Sequence, residues 1–148
     1  MPGSLSRPST RPRDGSTVCP SISVVLTDKE TYATIPTSDV ARAKRFYGDT
    51  LGFKVLLDTE GGVMYGSGPT RFFVYPSRYK SSGHTLMSWF VPEIKSEVAE
   101  LRAKGIEFED YDFPGLKTVD GIAQSGPNVW TAWFRDPDGN LLGLSQID

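Results

Sequence analysis

"SDVARAKRFYGDTLGFKV" (38–55) lies over "PEIKSEVAELRAKGIEF" (92–108). Asp39 falls on Glu93, Val40 on Ile94, and Gly52 comes near Gly105. Each stretch carries an acid early and a glycine late, as a helix macrodipole and a left-handed C-terminus favour. Val40, Ala43, Phe46 and Tyr47 share one helical face, and Ile94, Val98 and Leu101 form a matching stripe. Ser38 is the expected N-cap of the first helix. Pro92 is expected at the first helical position of the second, with Glu93 in its first turn.

Strands flank both helices. "TYATIPTS" (31–38) reads as a strand whose Pro36 places it at an edge. "FKVLLD" (53–58) sets Phe53, Val55 and Leu57 on one side, and "GGVMYGSGPTRFFVYP" (61–76) supplies two strands interrupted at Gly66–Pro69. In the second half, "HTLMSWFV" (84–91) alternates Leu86, Ser88 and Phe90 against Thr85, Met87, Trp89 and Val91. "IEFED" (106–110), "VWTAWFRD" (129–136) and "NLLGLSQI" (140–147) follow as strands. Each half is therefore β-α-β-β-β, and an internal repeat outweighs any single motif in fixing the fold. The fold class is α+β, with duplicated βαβββ modules. Module one covers about 30–78 and module two about 84–148.

The 148 residues suit one domain. Residues 1–23, rich in Ser, Pro and Arg, read as a disordered tail preceding a single domain over 24–148, with "VVLT" (24–27) as a short edge strand. A transit peptide is the alternative reading of the tail. The net charge is −2; the tail carries three Arg against one Asp, which leaves the body at −4. That balance argues against nucleic-acid binding. No apolar run approaches the ~20 residues of a membrane span, and no secretory apolar region follows the N-terminal arginines, so a cytoplasmic location is expected. One His and one Cys exclude a metal site with two His ligands from one chain. His84 reads as a polar residue at a strand start rather than a ligand. "DPDGN" (136–140) fails as a calcium loop because Leu141 and Ile147 stand where Gly and Glu are needed. It succeeds as a turn: Asp136 caps its own backbone, Pro137 presets φ, and Gly139 supplies positive φ. The insertion over 110–128 is long for a turn and is expected to be a functional loop. Its Asp112, Lys117, Thr118 and Asp120 are candidates for a lid, and Lys117 for holding a carboxylate or phosphate.

"DVARAKRFYGDTLGF" (39–53) with "FRDPDGNLL" (134–142), in this order and spacing within a repeat, resembles the vicinal oxygen chelate superfamily. That group contains glyoxalase I, bleomycin- and fosfomycin-resistance proteins and extradiol dioxygenases. The resemblance, over about residues 30–148, implies paired modules forming an open curved mixed sheet, a concave ligand face and a homodimer. The positions at which the family carries metal ligands are Tyr32, Leu86 and Gly143 here, with none of the usual ligand types. The resemblance thus implies the fold and the pocket, while these residues imply no metal and no cofactor. Strand parity assigns the pocket to Tyr32, Thr34, Phe73, Tyr75, Leu86, Ser88, Phe90, Leu141 and Gly143, with Lys117 from the lid, and turns Trp89 toward the helices. Trp130, Trp133 and Tyr65 read as core or as cavity lining. Three functions remain open. The first is a metal-independent binder of a small organic molecule. The second is a metal-independent or atypical lyase or isomerase acting on a small oxygenated metabolite. The third is a structural or regulatory dimer module.

Overall fold

The computed structural model describes residues 26–148. They divide at Thr31: Leu26–Thr31 falls in one unit and Tyr32–Asp148 forms the other. Leu26–Asp28 is a single 3₁₀ turn rather than the end of an edge strand, and Val24 and Val25 lie outside the described residues. The tail over 1–23 lies outside them as well.

Within Tyr32–Asp148 the repeat appears directly. Module one holds β1 (Ala33–Thr37), α1 (Val40–Lys44), β2 (Lys54–Thr59), β3 (Gly62–Ser67) and β4 (Thr70–Pro76), hydrogen-bonded in the order β1-β4-β3-β2. Module two holds β5 (Thr85–Phe90), α2 (Ile94–Ala103), β6 (Asp112–Phe113), β7 (Leu116–Val119), β8 (Ile122–Gly126), β9 (Val129–Arg135) and β10 (Leu141–Ile147), in the order β5-β10-β9-β8-β7-β6. In each module the first strand pairs in parallel with the last, and the intervening strands pair antiparallel. The α+β class and the duplicated βαβββ plan are thus present, as two open mixed sheets.

Several local readings need correction. Asp39, not Ser38, caps α1: its carboxylate accepts the amide of Arg42 at 3.1 Å. Ser38 is instead drawn to Asp138 across the module boundary. The first helix is α-helical only to Lys44 and continues as a π-helical stretch over Arg45–Thr50. Glu93, not Pro92, is the residue ahead of α2 in extended conformation, so Pro92 lies one position outside the helix. "IEFED" makes one isolated bridge, Phe108 to Phe134, and no strand. The stretch over 110–128 is no loop: β6, β7 and β8 extend the second sheet. On β2, a bulge at Leu56 puts Val55 opposite Tyr65 and Leu57 opposite Met64, so Val55 and Leu57 do not share a face. Val55, Leu56 and Leu57 are all exposed there.

One core serves both modules. Ile35, Ala43, Tyr47, Val63, Tyr65, Phe72 and Val74 come from the first, and Ile94, Val98, Ala132, Phe134, Leu142 and Leu144 from the second. Trp89 of β5 joins them, stacked on Phe53 at 5.5 Å and on Phe134 at 6.1 Å. Its indole Nε1 donates to Ser67 Oγ at 3.0 Å, which satisfies the one polar atom that burial would otherwise strand. Offset aromatic pairs of this kind add roughly 0.5–1.5 kcal/mol each beyond their burial.

The turn over 136–140 ties the modules together. Asp136 Oδ1 accepts the amides of Asp138 and Asn140, both at 2.9 Å, and Gly139 sits at φ +82°. Asn140, almost fully buried, donates to the Pro36 carbonyl of β1 at 2.8 Å. Tyr47 Oη donates to Asp136 Oδ2 at 2.7 Å. Asp138 accepts from Thr37 Oγ1 (2.6 Å), Ser38 N (2.8 Å), Ser38 Oγ (2.6 Å) and Arg42 Nη2 (2.9 Å). A sequence pattern that reads as a simple turn is therefore also the polar joint between the repeats.

Candidate functional site

Strand pairing builds the site around Gly143. On β10, Leu142 and Leu144 point into the core, so Gly143 faces the other way. It sits opposite Ser88 of β5 and Trp133 of β9. Its φ lies outside the left-handed region, so the backbone itself would accept a side chain. Space is what restricts it: a Cβ would lie 2.6 Å from Ser88 Oγ and 3.5 Å from Thr85 Cγ2. The same face continues through Thr131, Ala123 and Thr118 by direct cross-strand pairing. Tyr111 closes edge-on against Trp133 at 5.5 Å, held by its amide donating to Thr118 Oγ1 at 2.8 Å. Ser125 and Thr131 share a hydroxyl–hydroxyl bond of 2.6 Å. The result is a face of aromatic rings and hydroxyls around Gly143, which is itself buried against Ser88.

The candidate residues named from the sequence fall into separate places. Ser88, Leu141 and Gly143 share the face just described, and Phe90 pairs with Ser145 on it, 82% exposed. Leu86 does not share it: β5 bulges there, Leu86 packs against the core, and Thr85 takes the position beside Ser88. Thr34, Phe73 and Tyr75 lie on the first sheet. Thr34 pairs with Phe73, and the Phe73 and Tyr75 rings stack at 6.4 Å. Tyr32 precedes β1 and is exposed. Among the proposed lid residues, Asp112 and Lys117 are a cross-strand pair of the β6–β7 hairpin, and Thr118 orders Tyr111. Asp120 holds the turn to β8 at φ +52°. Lys117 stands in a cleft beside α2. The sequence left Trp133 open as core or cavity lining and pointed to neither Tyr111 nor Thr85. Trp133 is placed by the β9 alternation once β10 is paired, Tyr111 by its ring contact with Trp133, and Thr85 by a bulge that nothing in the local sequence announces.

The perturbed titrations lie elsewhere. Burial pushes the Tyr47 phenol far up, reinforced by the Asp136 carboxylate it bonds. Burial also raises Asp136, against the pull of Asn140, Tyr47 and two backbone amides. At Asp138 burial opposes ionisation, but the Ser38, Thr37 and Arg42 donors outweigh it and hold the carboxyl below its ordinary range. These groups join the modules on the core side. The upward shift favours the protonated phenol that donates to Asp136.

The sequence model for the Glyoxalase/Bleomycin resistance protein/Dioxygenase superfamily matches residues 31–144. The chain belongs to this superfamily. No curated protein matches it by sequence. Solved members share the fold. A glyoxalase/bleomycin resistance protein/dioxygenase from Nocardioides has a TM-score of 0.62 at 19% identity, covering 86% of this chain and 88% of its own. A glyoxalase family protein from Bacillus anthracis has a TM-score of 0.61 at 18% identity, covering 80% and 96%. TnmS3, an antibiotic binding protein from Streptomyces sp. CB03234, has a TM-score of 0.54 at 21% identity, covering 80% and 97%. Metal-binding members of the superfamily imply a divalent ion; at the positions matched to its ligands this chain carries Tyr32, Leu86 and Gly143. Among the described residues no three His, Cys, Asp or Glu side chains cluster. The groups that meet at Gly143 are the hydroxyl of Ser88 and the methyl of Thr85. No described helix is long and apolar enough to cross a membrane.

Proposed function

We propose that this superfamily member is a metal-independent binder of a small organic molecule, seated on the face around Gly143. The observation that carries this reading is the composition of that face. Trp133, Tyr111 and the Ser88 hydroxyl gather around Gly143, where a metal-binding relative would place a carboxylate. Flat rings and neutral hydroxyls suit a planar, partly polar ligand such as an aromatic antibiotic. The fold shared with TnmS3, an antibiotic binding protein, supports the same class of ligand. Phe73 and Tyr75 form a second aromatic patch on the first sheet. The exposed Val55, Leu56 and Leu57 of edge strand β2 support a homodimer, since exposed apolar edges invite pairing. We place the protein in the cytoplasm.

A thermal-shift screen of antibiotics and oxygenated metabolites tests the reading, because a ligand that binds only the folded state raises the melting temperature. We expect at least one planar compound to stabilise the chain, and Trp133→Ala to weaken that compound at least tenfold. No stabilising compound, or a hit indifferent to Trp133→Ala, would overturn it. Turnover of the hemithioacetal of methylglyoxal and glutathione would replace it with the enzyme reading. A monomer mass by light scattering at micromolar concentration would refute the dimer.

A further inference from the structure

The second sheet has another face. Ile122, Gln124 and Trp130 alternate with the residues of the Gly143 surface and point the opposite way, toward α2. There they floor a cleft of about 860 Å³. Val98 and Ala99 of α2 form one wall, with Phe113, Leu116 and Val119 of the β6–β7 hairpin forming the other. Phe113 and Val119 remain 53% and 69% exposed. Large apolar side chains are left open where burial in the cleft would be favourable.

The rim is cationic. Lys95 and Arg102 come from α2 and Lys117 from β7, against the single carboxylate of Asp120, so the lining is +2 on a chain of net −2. Arg102 is fixed: its Nη2 donates to the Asp120 carbonyl at 2.9 Å, and its guanidinium lies 5.6 Å from the Phe108 ring centroid. Among the described residues Lys95 and Lys117 make no ion pair, although Lys117 stands opposite Asp112 in the hairpin. Two unpaired ammonium groups thus flank an apolar floor from opposite walls.

We propose that this cleft is a second ligand site, separate from the Gly143 face, for an amphipathic monoanion. Its apolar body lies on Ile122, Trp130 and Val98, and its carboxylate, sulfonate or phosphate head is held between Lys95 and Lys117. Apolar burial supplies most of the affinity, and the lysines select the head by charge.

The test uses the full chain titrated with decanoate, decanol and decyltrimethylammonium, followed by calorimetry and Trp fluorescence. Decanoate is expected to bind at least tenfold tighter than decanol, with the cation weaker still. Lys95→Glu with Lys117→Glu should weaken decanoate at least tenfold while melting temperature and near-UV dichroism stay near wild type. Should that pair disturb folding, Lys95→Gln with Lys117→Gln should still weaken it severalfold. Binding that persists in both pairs, equal affinity for decanoate and decanol, or no binding at millimolar decanoate would overturn the proposal. A self-association broken by the same substitutions would also overturn it, by assigning the cleft to a second copy.

Discussion

Tyr47→Phe isolates one hydrogen bond at the joint between the repeats. The substitution keeps the ring that packs on Phe46, Tyr65 and Phe72 and removes only the hydroxyl, which donates to Asp136 Oδ2 at 2.7 Å. A hydrogen bond to a charged acceptor contributes about 1.5–3 kcal/mol, so a loss near 2 kcal/mol is expected at pH 7. For a domain of this size that lowers the melting temperature by roughly 6–10 °C. The pH dependence has a definite sign. Burial raises the Asp136 carboxyl in the folded state, and the Tyr47 bond is one of the groups pulling it back down. The folded protein therefore holds that proton more tightly than the unfolded chain. Ionisation of Asp136 costs stability as the pH rises from the ordinary value of 3.8 through the raised one. Removing Tyr47 Oη raises the carboxyl further and widens that window. In acid, where Asp136 is protonated, the lost bond is a neutral one of about 1 kcal/mol. Urea denaturation of both proteins at pH 7 and near pH 4 should give a destabilisation about 1 kcal/mol smaller in acid. An effect below about 0.5 kcal/mol at pH 7, or one that grows in acid, would refute the assignment of Tyr47 as donor to an ionised Asp136.

Two further outcomes follow from the same geometry. Asp138 has a depressed carboxyl, so the stability it contributes is present above 3.8 and lost as the pH falls through its folded value. Asp138→Asn should cost about 1–2 kcal/mol at pH 7 and flatten the acid limb of the stability profile, read by denaturation from neutral pH down to about 3. Gly62 sits at φ +139°, and a Cβ there would lie 2.4 Å from the Val74 carbonyl oxygen. Gly62→Ala should cost roughly 3 kcal/mol or more, whereas Gly68→Ala, at φ +52° with open space, should cost about 1 kcal/mol by thermal melting.

Two kinds of information were legible in the chain. The repeat of "SDVARAKRFYGDTLGF" in "PEIKSEVAELRAKG" determined the two modules, because helix stripes and strand alternation are local periodicities set by backbone geometry. "DPDGN" determined its own turn for the same reason: Asp136, Pro137 and Gly139 act on backbone within four residues. The identity of the residue at Gly143 was also plain. Tertiary structure decided everything that depends on pairing. The bulges at Leu56 and Leu86 each shift alternation by one residue, and a shift of one exchanges the two faces of a strand. Leu86 thereby packs on the core and Thr85 takes the place beside Ser88. The 110–128 stretch became β6, β7 and β8 by successive hairpins onto β9, turning at Pro114 and Gly115, Asp120 and Gly121, and Pro127 and Asn128, a pairing that its weak alternation does not announce. Ser38 lost the cap of α1 to Asp39 because Asp138, distant in sequence, claimed its hydroxyl and amide.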